Sequence, residues 1–388
     1  MRMFVFRLIY KNLFRHKLRT LLTVLGITVA VLAFGLLRTV VTAWNAGVAA
    51  SASDRLIVVH SVSFIYPLPL SYRAKIEKIP GVEMVSYANW FSGIYIDQSH
   101  FFARIAVDVP TFFKVYPEFI VSDSALAELA RQRNGTIIGA STAKKFNLKV
   151  GDIIPIEGDI YPGHWEMKVV GIYRGRDKGT DESQMLFNWE YLDQSLLQTQ
   201  PARAGRVGWY VVDIDNAADR ARISAEIDSL FANSPAETKT QTEKEFQQSF
   251  VSMSSAILTA INVISLVIIG IILLVLSNTM VMTARERFRE FAVLKTLGFS
   301  TLHLVGLIGG ESMVIAGTGG VLGILLTFPL SEAAGRGLPS GWFPVFNVEA
   351  ETLAMAVAAA LVTGAVAAAV PVLRTIRMNI VDGLRQVG

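Results

Sequence analysis

The chain has 388 residues, 52% of them apolar, with a net charge of +4 and no cysteine. A mean hydropathy of +0.44 is high for a soluble protein and modest for a bundle of spans alone, so the blend fits several spans plus one large aqueous domain. The missing cysteine excludes disulfides, thiolate metal sites and lipid attachment through cysteine, and a large domain folds without such staples.

Met1 to Thr20 holds six basic residues (Arg2, Arg7, Lys11, Arg15, Lys17, Arg19) and no acid. Residues 1–19 are expected as an amphipathic helix on the inner membrane surface, with Phe4, Ile9, Leu13 and Leu18 toward lipid. The first apolar run follows at 20–43. It is too long for a signal-peptide core and continues without a small-residue cleavage site, so it is expected to stay as a transmembrane helix.

Residues 44–255 read as a mixed α/β extracytoplasmic domain. Strand patterns fall at Arg55–His60, Val82–Ala88, Gly93–Asp97, Gly135–Gly139, Trp165–Tyr173 and Gly208–Ile214. Helices are expected at 44–53, 72–79, 140–146 and 217–231. Thr240 and Thr242, each followed three residues later by a glutamate (Glu243, Glu245), carry the capping-box signature. A helix begins there and is expected to run straight into the second span, so helical stalks join the domain to the membrane.

Three further spans are expected at 256–283, 301–331 and 351–373. A connection at 284–300, a short loop at 332–350 and a tail at 374–388 complete the chain. The fold class is therefore α-helical membrane protein, with four transmembrane helices and the α/β domain inserted between the first and second. Basic residues crowd the N-terminus, the 284–300 connection (Arg285, Arg287, Arg289, Lys295) and the tail (Arg374, Arg377, Arg385), whereas the 332–350 loop has only Arg336. By the positive-inside rule both termini and the connection are cytoplasmic and the inserted domain is periplasmic. The domain has 21 basic against 25 acidic residues, so the pI of 9.2 reflects membrane orientation and argues against a nucleic-acid partner.

The richest segment is Asn278-Thr-Met-Val-Met-Thr-Ala-Arg285-Glu-Arg-Phe-Arg-Glu-Phe-Ala-Val-Leu-Lys-Thr-Leu-Gly298. Phe288, Phe291, Ala292 and Lys295 share one helical face, while Arg285, Glu286, Arg289 and Glu290 crowd another, and Gly298 suits a C-cap. Periodicity alone fits either a snorkelling connector or a helix that docks into a partner. Together with Gly309-Gly-Glu311-Ser, with Pro371-Val-Leu-Arg-Thr-Ile-Arg-Met-Asn379-Ile-Val-Asp-Gly-Leu384 and with Asn12-Leu-Phe-Arg-His-Lys17, the segment resembles the FtsX/MacB/LolC–LolE permease family of ABC transporters. Ile138-Gly-Ala-Ser-Thr-Ala-Lys-Lys-Phe with Gly151-Asp152 is similar to that family's MacB-like extracytoplasmic domain, which has a porter-like and a second subdomain.

The resemblance implies a force-transmitting (type VII) permease working as a dimer of itself or with a related permease. Its coupling helix presents Arg285, Glu286, Phe288, Arg289, Glu290, Phe291, Lys295 and Leu297 to an ATPase. No Gly-x-x-x-x-Gly-Lys-Ser/Thr loop is present, so no cofactor is expected in this chain. ATP and Mg are expected on a separate cytoplasmic ABC ATPase dimer. The implied work is efflux or extraction of a peptide, drug, lipoprotein or lipid from the periplasm or the outer leaflet of the inner membrane. A periplasmic membrane-fusion protein or a lipoprotein chaperone would be a further partner. The alternative is an FtsX-like signal transducer that switches a periplasmic cell-wall hydrolase and carries no cargo.

Enzyme chemistry finds no support. The five histidines (His16, His60, His100, His164, His303) lack metal-ligand spacing, and Ser312 in Gly310-Glu-Ser has no histidine after it to act as base. Glu311, an acid inside an apolar run, is either the structural partner of a basic group such as Lys295 or an N-terminal arginine, or part of a proton relay. The structural role is preferred, because no second intramembrane acid accompanies it. Arg38 is expected to snorkel outward. Gly306, Gly310, Gly317, Gly320 and Gly323 in the third span and the alanine-rich fourth predict close helix packing rather than a polar conduit.

The topology is directly testable in a cysteine-free chain. A cysteine at Ser99 should react with an impermeant thiol reagent in intact cells whose outer layer admits it, and one at Ser300 should react only after the inner membrane is opened. Labelling of Ser300 from outside would sink the four-span arrangement.

Overall fold

Arg55–His60 and Gly135–Gly139 show little alternation because the sheet is covered on both sides there, whereas Ile153–Gly158 and the first half of Gly163–Gly175 alternate with one face exposed. In the computed structural model the described residues are 15–50, 54–98, 100–177, 179–337 and 348–377, with Leu8 and Lys11. Most of the expected N-terminal surface helix (Phe4, Ile9 and Leu13 included), 51–53, much of the 332–350 loop and most of the tail lie outside them.

In chain order, α1 (Lys17–Ala50) carries the first apolar run. Then come β1 (Arg55–His60), β2 (Leu68–Pro69), a 3-10 turn leading into α2 (Arg73–Ile76), β3 (Val82–Trp90), β4 (Gly93–Ile94) and β5 (Arg104–Val107). α3 (Val109–Val115), β6 (Phe119–Ile120), α4 (Asp123–Arg131), β7 (Gly135–Gly139), α5 (Ala140–Phe146), β8 (Ile153–Gly158) and β9 (Gly163–Gly175) follow. β10 (Met185–Asn188), α6 (Trp189–Thr199), β11 (Arg206–Val207), β12 (Trp209–Ile214), α7 (Arg220–Leu230), β13 (Thr238–Thr242) and α8 (Glu243–Met253) complete the insert. The last part is helical: α9 (Ser255–Glu286), α10 (Phe288–Thr296), α11 (Thr301–Gly337) and α12 (Ala350–Ile376).

The chain divides into two compact units, Met1–Thr42 with Ser255–Ala334 and Phe346–Gly388, and Ala43–Ser254 with Gly335–Val345. In the inserted unit one sheet runs β13-β1-β12-β3-β5-β10-β7-β9-β8-β4, with β6 on β9. The β5/β10 and β7/β9 pairs are parallel and the other neighbours antiparallel. Leu56 and Val58 of β1 face a core with Ile76, Ile223 and Leu192, whereas Ile57 and Val59 face the other side with Val115 and Val211. Burial on both faces explains the unbroken Leu-Ile-Val-Val run.

Several expected elements are shifted. The helix at 72–79 is a 3-10 turn and one α-helical turn, and the strand at Gly93–Asp97 shrinks to Gly93–Ile94 with an isolated bridge from Tyr95 to Asp97. Of the two capping boxes only that of Thr242 forms: its amide donates to Glu245 Oε2 at 2.8 Å and its hydroxyl accepts from the Glu245 amide at 3.2 Å. Thr240 instead lies in edge strand β13, where its amide and hydroxyl both donate to Asp228 on α7, at 3.0 and 2.7 Å. That carboxylate occupies an edge donor that would otherwise template another strand. The helix expected to run unbroken into the second span stops at Met253, with Ser254 at φ −97° and ψ 9°.

In the helical unit α1, α9, α11 and α12 are each long and apolar enough to cross a membrane. Close approach is made by Gly319 and Gly323 of α11. A Cβ on Gly323 would lie 2.7 Å from Val31 Cβ of α1, and one on Gly319 would lie 2.7 Å from Ile27 Cβ. Gly320 meets Ala360 of α12 in the same way. Gly306 and Gly317, grouped with Gly320 and Gly323 by spacing, have no other atom within 4 Å of such a Cβ, whereas Gly319 stands outside that group. The contrast is testable by thermal unfolding of the purified protein. Gly323→Val should lower the midpoint markedly, overpacking costing about 1–3 kcal/mol or more, while Gly317→Val should leave it nearly unchanged. Equal midpoints for the two variants would refute the packing assignment.

Candidate coupling site

The connection between the second and third apolar helices consists of the end of α9, a break at Arg287 and the short helix α10. α9 runs on through Arg285 and Glu286, Arg287 leaves helical geometry at φ −101° and ψ 8°, and α10 begins at Phe288. At its other end Gly298 adopts φ +87°, a left-handed conformation natural to glycine, and the Phe299 amide donates back to the Leu294 carbonyl at 3.1 Å.

α10 is amphipathic, and its apolar side faces inward. Phe291 is 1% exposed and Ala292 fully buried, packed with Leu276, Met280, Leu304 and Ile308. Phe288 is half-buried, and Lys295, also half-buried, donates from Nζ to the Thr375 carbonyl of α12 at 3.2 Å. The face expected to be an anchor surface is thus the face that holds α10 to its own bundle, and Phe291 is a core residue. The outward side carries Arg289 and Val293, followed by Leu297 at the C-cap, 70% exposed, while Arg285 is exposed on the last turn of α9.

The residue that organises the site is Arg287. Its side chain is buried, with Nη1 2.9 Å from Glu311 Oε2 and Nε 3.0 Å from Glu290 Oε2, and its guanidinium lies over the Phe291 ring. Glu311 is buried as well. It therefore has the basic partner expected from sequence, but that partner is Arg287 and neither Lys295 nor an N-terminal arginine. A signal was available: Arg287 precedes Phe291 by four residues and so shares the inward face.

The basic N-terminal segment engages the acids of the connection. Arg19 holds Glu286 through two bonds of 2.8 Å, with His16 Nε2 at 3.8 Å from the same carboxylate, and Arg15 pairs with Glu290. Partial burial pushes the Glu290 carboxyl up, but the hydrogen bonds from Arg15 and Arg287 outweigh that and hold it below its ordinary value. Glu286 and Glu290 are thus committed within the chain. Ser312 is also committed, its hydroxyl donating to the Gly364 carbonyl at 2.7 Å.

A family model described as MacB-like periplasmic core domain matches residues 20–230, more than half of the chain, and one described as FtsX-like permease C-terminal matches residues 262–380. The chain belongs to the FtsX/MacB family of ABC transporter permeases. An uncharacterised ABC transporter permease of Methanocaldococcus jannaschii is 23% identical to this permease over 83% of this chain and 82% of its own length. A macrolide export ATP-binding/permease protein MacB of Nitrobacter winogradskyi is 33% identical over 34% of this chain and 19% of its own. Among solved structures, the extracellular domain of the noncanonic ABC-type transporter YknZ from Gram-positive bacteria aligns in full with 49% of this chain, at 12% identity and a TM-score of 0.35.

Breaking the Arg287–Glu311 pair should be costly to the permease. Glu311→Gln leaves a buried guanidinium without its counter-charge, a loss of about 3–5 kcal/mol. Thermal unfolding should show a sharp fall, and Arg287→Met combined with Glu311→Leu should recover most of it. A Glu311→Gln protein as stable as the parent would dismiss the structural role.

Proposed function

We propose that the permease couples ATP hydrolysis on a separate cytoplasmic ABC ATPase dimer, which binds ATP and Mg, to movement of its inserted domain on the periplasmic side. Two permeases, identical or related, form the working dimer in the inner membrane. The movement expels or extracts a peptide, drug, lipoprotein or lipid from the periplasm or the outer leaflet, with a membrane-fusion protein or lipoprotein chaperone as receiver.

The observation that carries this reading is the two-sided build of α10. Its inner side is welded to the bundle through Phe291, Ala292, Lys295 and Arg287–Glu311. Its outer side exposes Val293 and Leu297, with Arg289 one turn before Val293 and Arg285 on the last turn of α9. A plain connector in water has no need of an exposed leucine, whereas a docking helix needs an apolar centre with a charged rim. Because α10 directly joins the second and third spans, a push on it moves both, and the stiffness of a close-packed interior passes the displacement on. ATP-driven closure of the partner thus biases a two-state assembly at a distance.

The exposed pair provides the test. Val293→Glu with Leu297→Glu should abolish co-purification with the ATPase, each buried apolar anchor accounting for about 2 kcal/mol or more, while thermal unfolding of the permease stays unchanged. Arg285→Ala with Arg289→Ala should weaken binding only a few-fold and alter its salt dependence. Normal co-purification by the double glutamate variant would reduce α10 to a connector.

A further inference from the structure

Three arginines are buried among the described residues: Arg55, Arg104 and Arg287. Arg55 is held by Glu118 and Glu243, and Arg287 by Glu290 and Glu311. Arg104 of β5 is the most deeply buried of the three, at 1% exposed, and among the described residues no carboxylate pairs with it. Its Nη1 donates to the Gly93 carbonyl of β4 at 2.9 Å, and its guanidinium lies 4.2 Å from the centre of the Phe102 ring. Nε and Nη2 are buried too, and neither has a hydrogen-bond partner among the described residues.

The surroundings are apolar. Along this part of the chain Ile105 and Val107 belong to the face of Leu186, whereas Phe102 and Ala106 belong to the opposite face with Phe91 and Met185. Arg104 shares that second face by the alternation of a strand. The Phe91 amide donates to the Arg104 carbonyl at 2.9 Å, Met185 is its parallel partner on β10, and both side chains are fully buried. An aromatic ring offsets part of the cost of a desolvated cation, but it does not satisfy two N–H groups. Burial pushes the guanidinium down to about 10, so it still carries its charge at neutral pH. Acids on the adjoining segments are engaged elsewhere, Asp97 with His100 at 2.7 Å and Glu157 with His164 at 3.0 Å.

The Nε–H and Nη2–H groups of an arginine project in parallel from one edge of a planar group, at the spacing of two carboxylate oxygens. We propose that Arg104 binds the carboxylate of a small, otherwise apolar monoanion through this edge, within the cluster of Phe91, Phe102 and Met185. One positive charge among apolar side chains is matched by one negative charge; a phosphate dianion would bring a second that nothing there neutralises. Entry is on the β4 side. β4 is a two-residue edge strand paired with β8 alone among the described strands, and Ile94 beside Gly93 is 40% exposed. Two residues on, Ile96 has φ +63°, a conformation that a β-branched side chain disfavours. So short a pairing, followed by strain, opens far more easily than the sheet interior. The site requires neither nucleotide nor ATPase, so it stands or falls apart from the coupling reading.

The test uses the full permease in phosphatidylcholine nanodiscs, dialysed into a carboxylate-free buffer, with sodium acetate as the probe. Acetate exchanged for chloride at constant ionic strength should raise the thermal midpoint along a saturating curve and give a saturable heat on titration. Arg104→Lys keeps the charge but loses the paired donors, and should weaken acetate about tenfold or more. Arg104→Met removes charge and donors together; it should abolish the response and raise the midpoint in the absence of acetate, a gain that misfolding cannot produce. Arg220→Met, at an exposed arginine opening α7, should respond like the parent. A linear, unsaturable acetate effect, or unchanged acetate affinity in either Arg104 variant, overturns the site. Phosphate binding as tightly as acetate overturns the carboxylate assignment.

Discussion

A guanidinium and a carboxylate cannot both leave water in an apolar helical bundle unless they meet. Arg287 and Glu311 do so at 2.9 Å, and this constraint fixes the geometry of the coupling site. Removing two charges from water costs several kcal/mol apiece, so the pair contributes little net stability, but separating it is expensive. The gain is in specificity: α10 has one rotational setting in which Arg287 reaches Glu311. In that setting Phe291 falls into the core and Val293 and Leu297 fall outside. Glu290, held by Arg287 on one side and Arg15 on the other, extends the network to the N-terminal segment. A displacement of α10 therefore has charged as well as apolar routes into the bundle.

The sequence made the architecture readable because its strongest signals are long. Four apolar runs and the clusters of arginine between them need no tertiary information. The long strands β1, β9 and β12 were readable for a similar reason. Four-residue strands such as β5 and β10 were not, because their apolar stretches are short and become strands only by pairing with each other and with the distant β3 and β7. The two threonine boxes show the same limit: Thr240 and Thr242 have equal local credentials, and only the distant Asp228 decides between strand and cap. At the coupling site periodicity gave the inner and outer faces of α10 correctly. It could not say which face a partner would see, since buried and docking surfaces are both apolar.

Spacing alone likewise could not sort the glycines of α11. Gly319 and Gly323 lie four residues apart and admit the α1 backbone; Gly306 and Gly317 are equally small and admit nothing. The distinction matters for mechanics. Helices that touch through backbone transmit a displacement with little slack, because no side chain can rearrange between them. α11 meets α1 and α12 in this way, whereas α9 buries a much smaller share of its apolar surface inside the unit.

The inserted domain has a corresponding joint. β1 receives the chain from α1 and β13 delivers it to α8, and the two are antiparallel neighbours with Leu56 opposite Thr242. Both connections therefore leave from one end of the sheet. Arg55, the first residue of β1, grips Glu243, the first residue of α8, and the same guanidinium grips Glu118 of the segment that follows α3. Burial opposes the charge on Arg55, and the bonds to Glu118 and the field of Glu243 outweigh it, so the guanidinium stays charged and the junction stays closed at any pH where the carboxylates are ionised. A force on either connection meets this cluster before it meets the sheet.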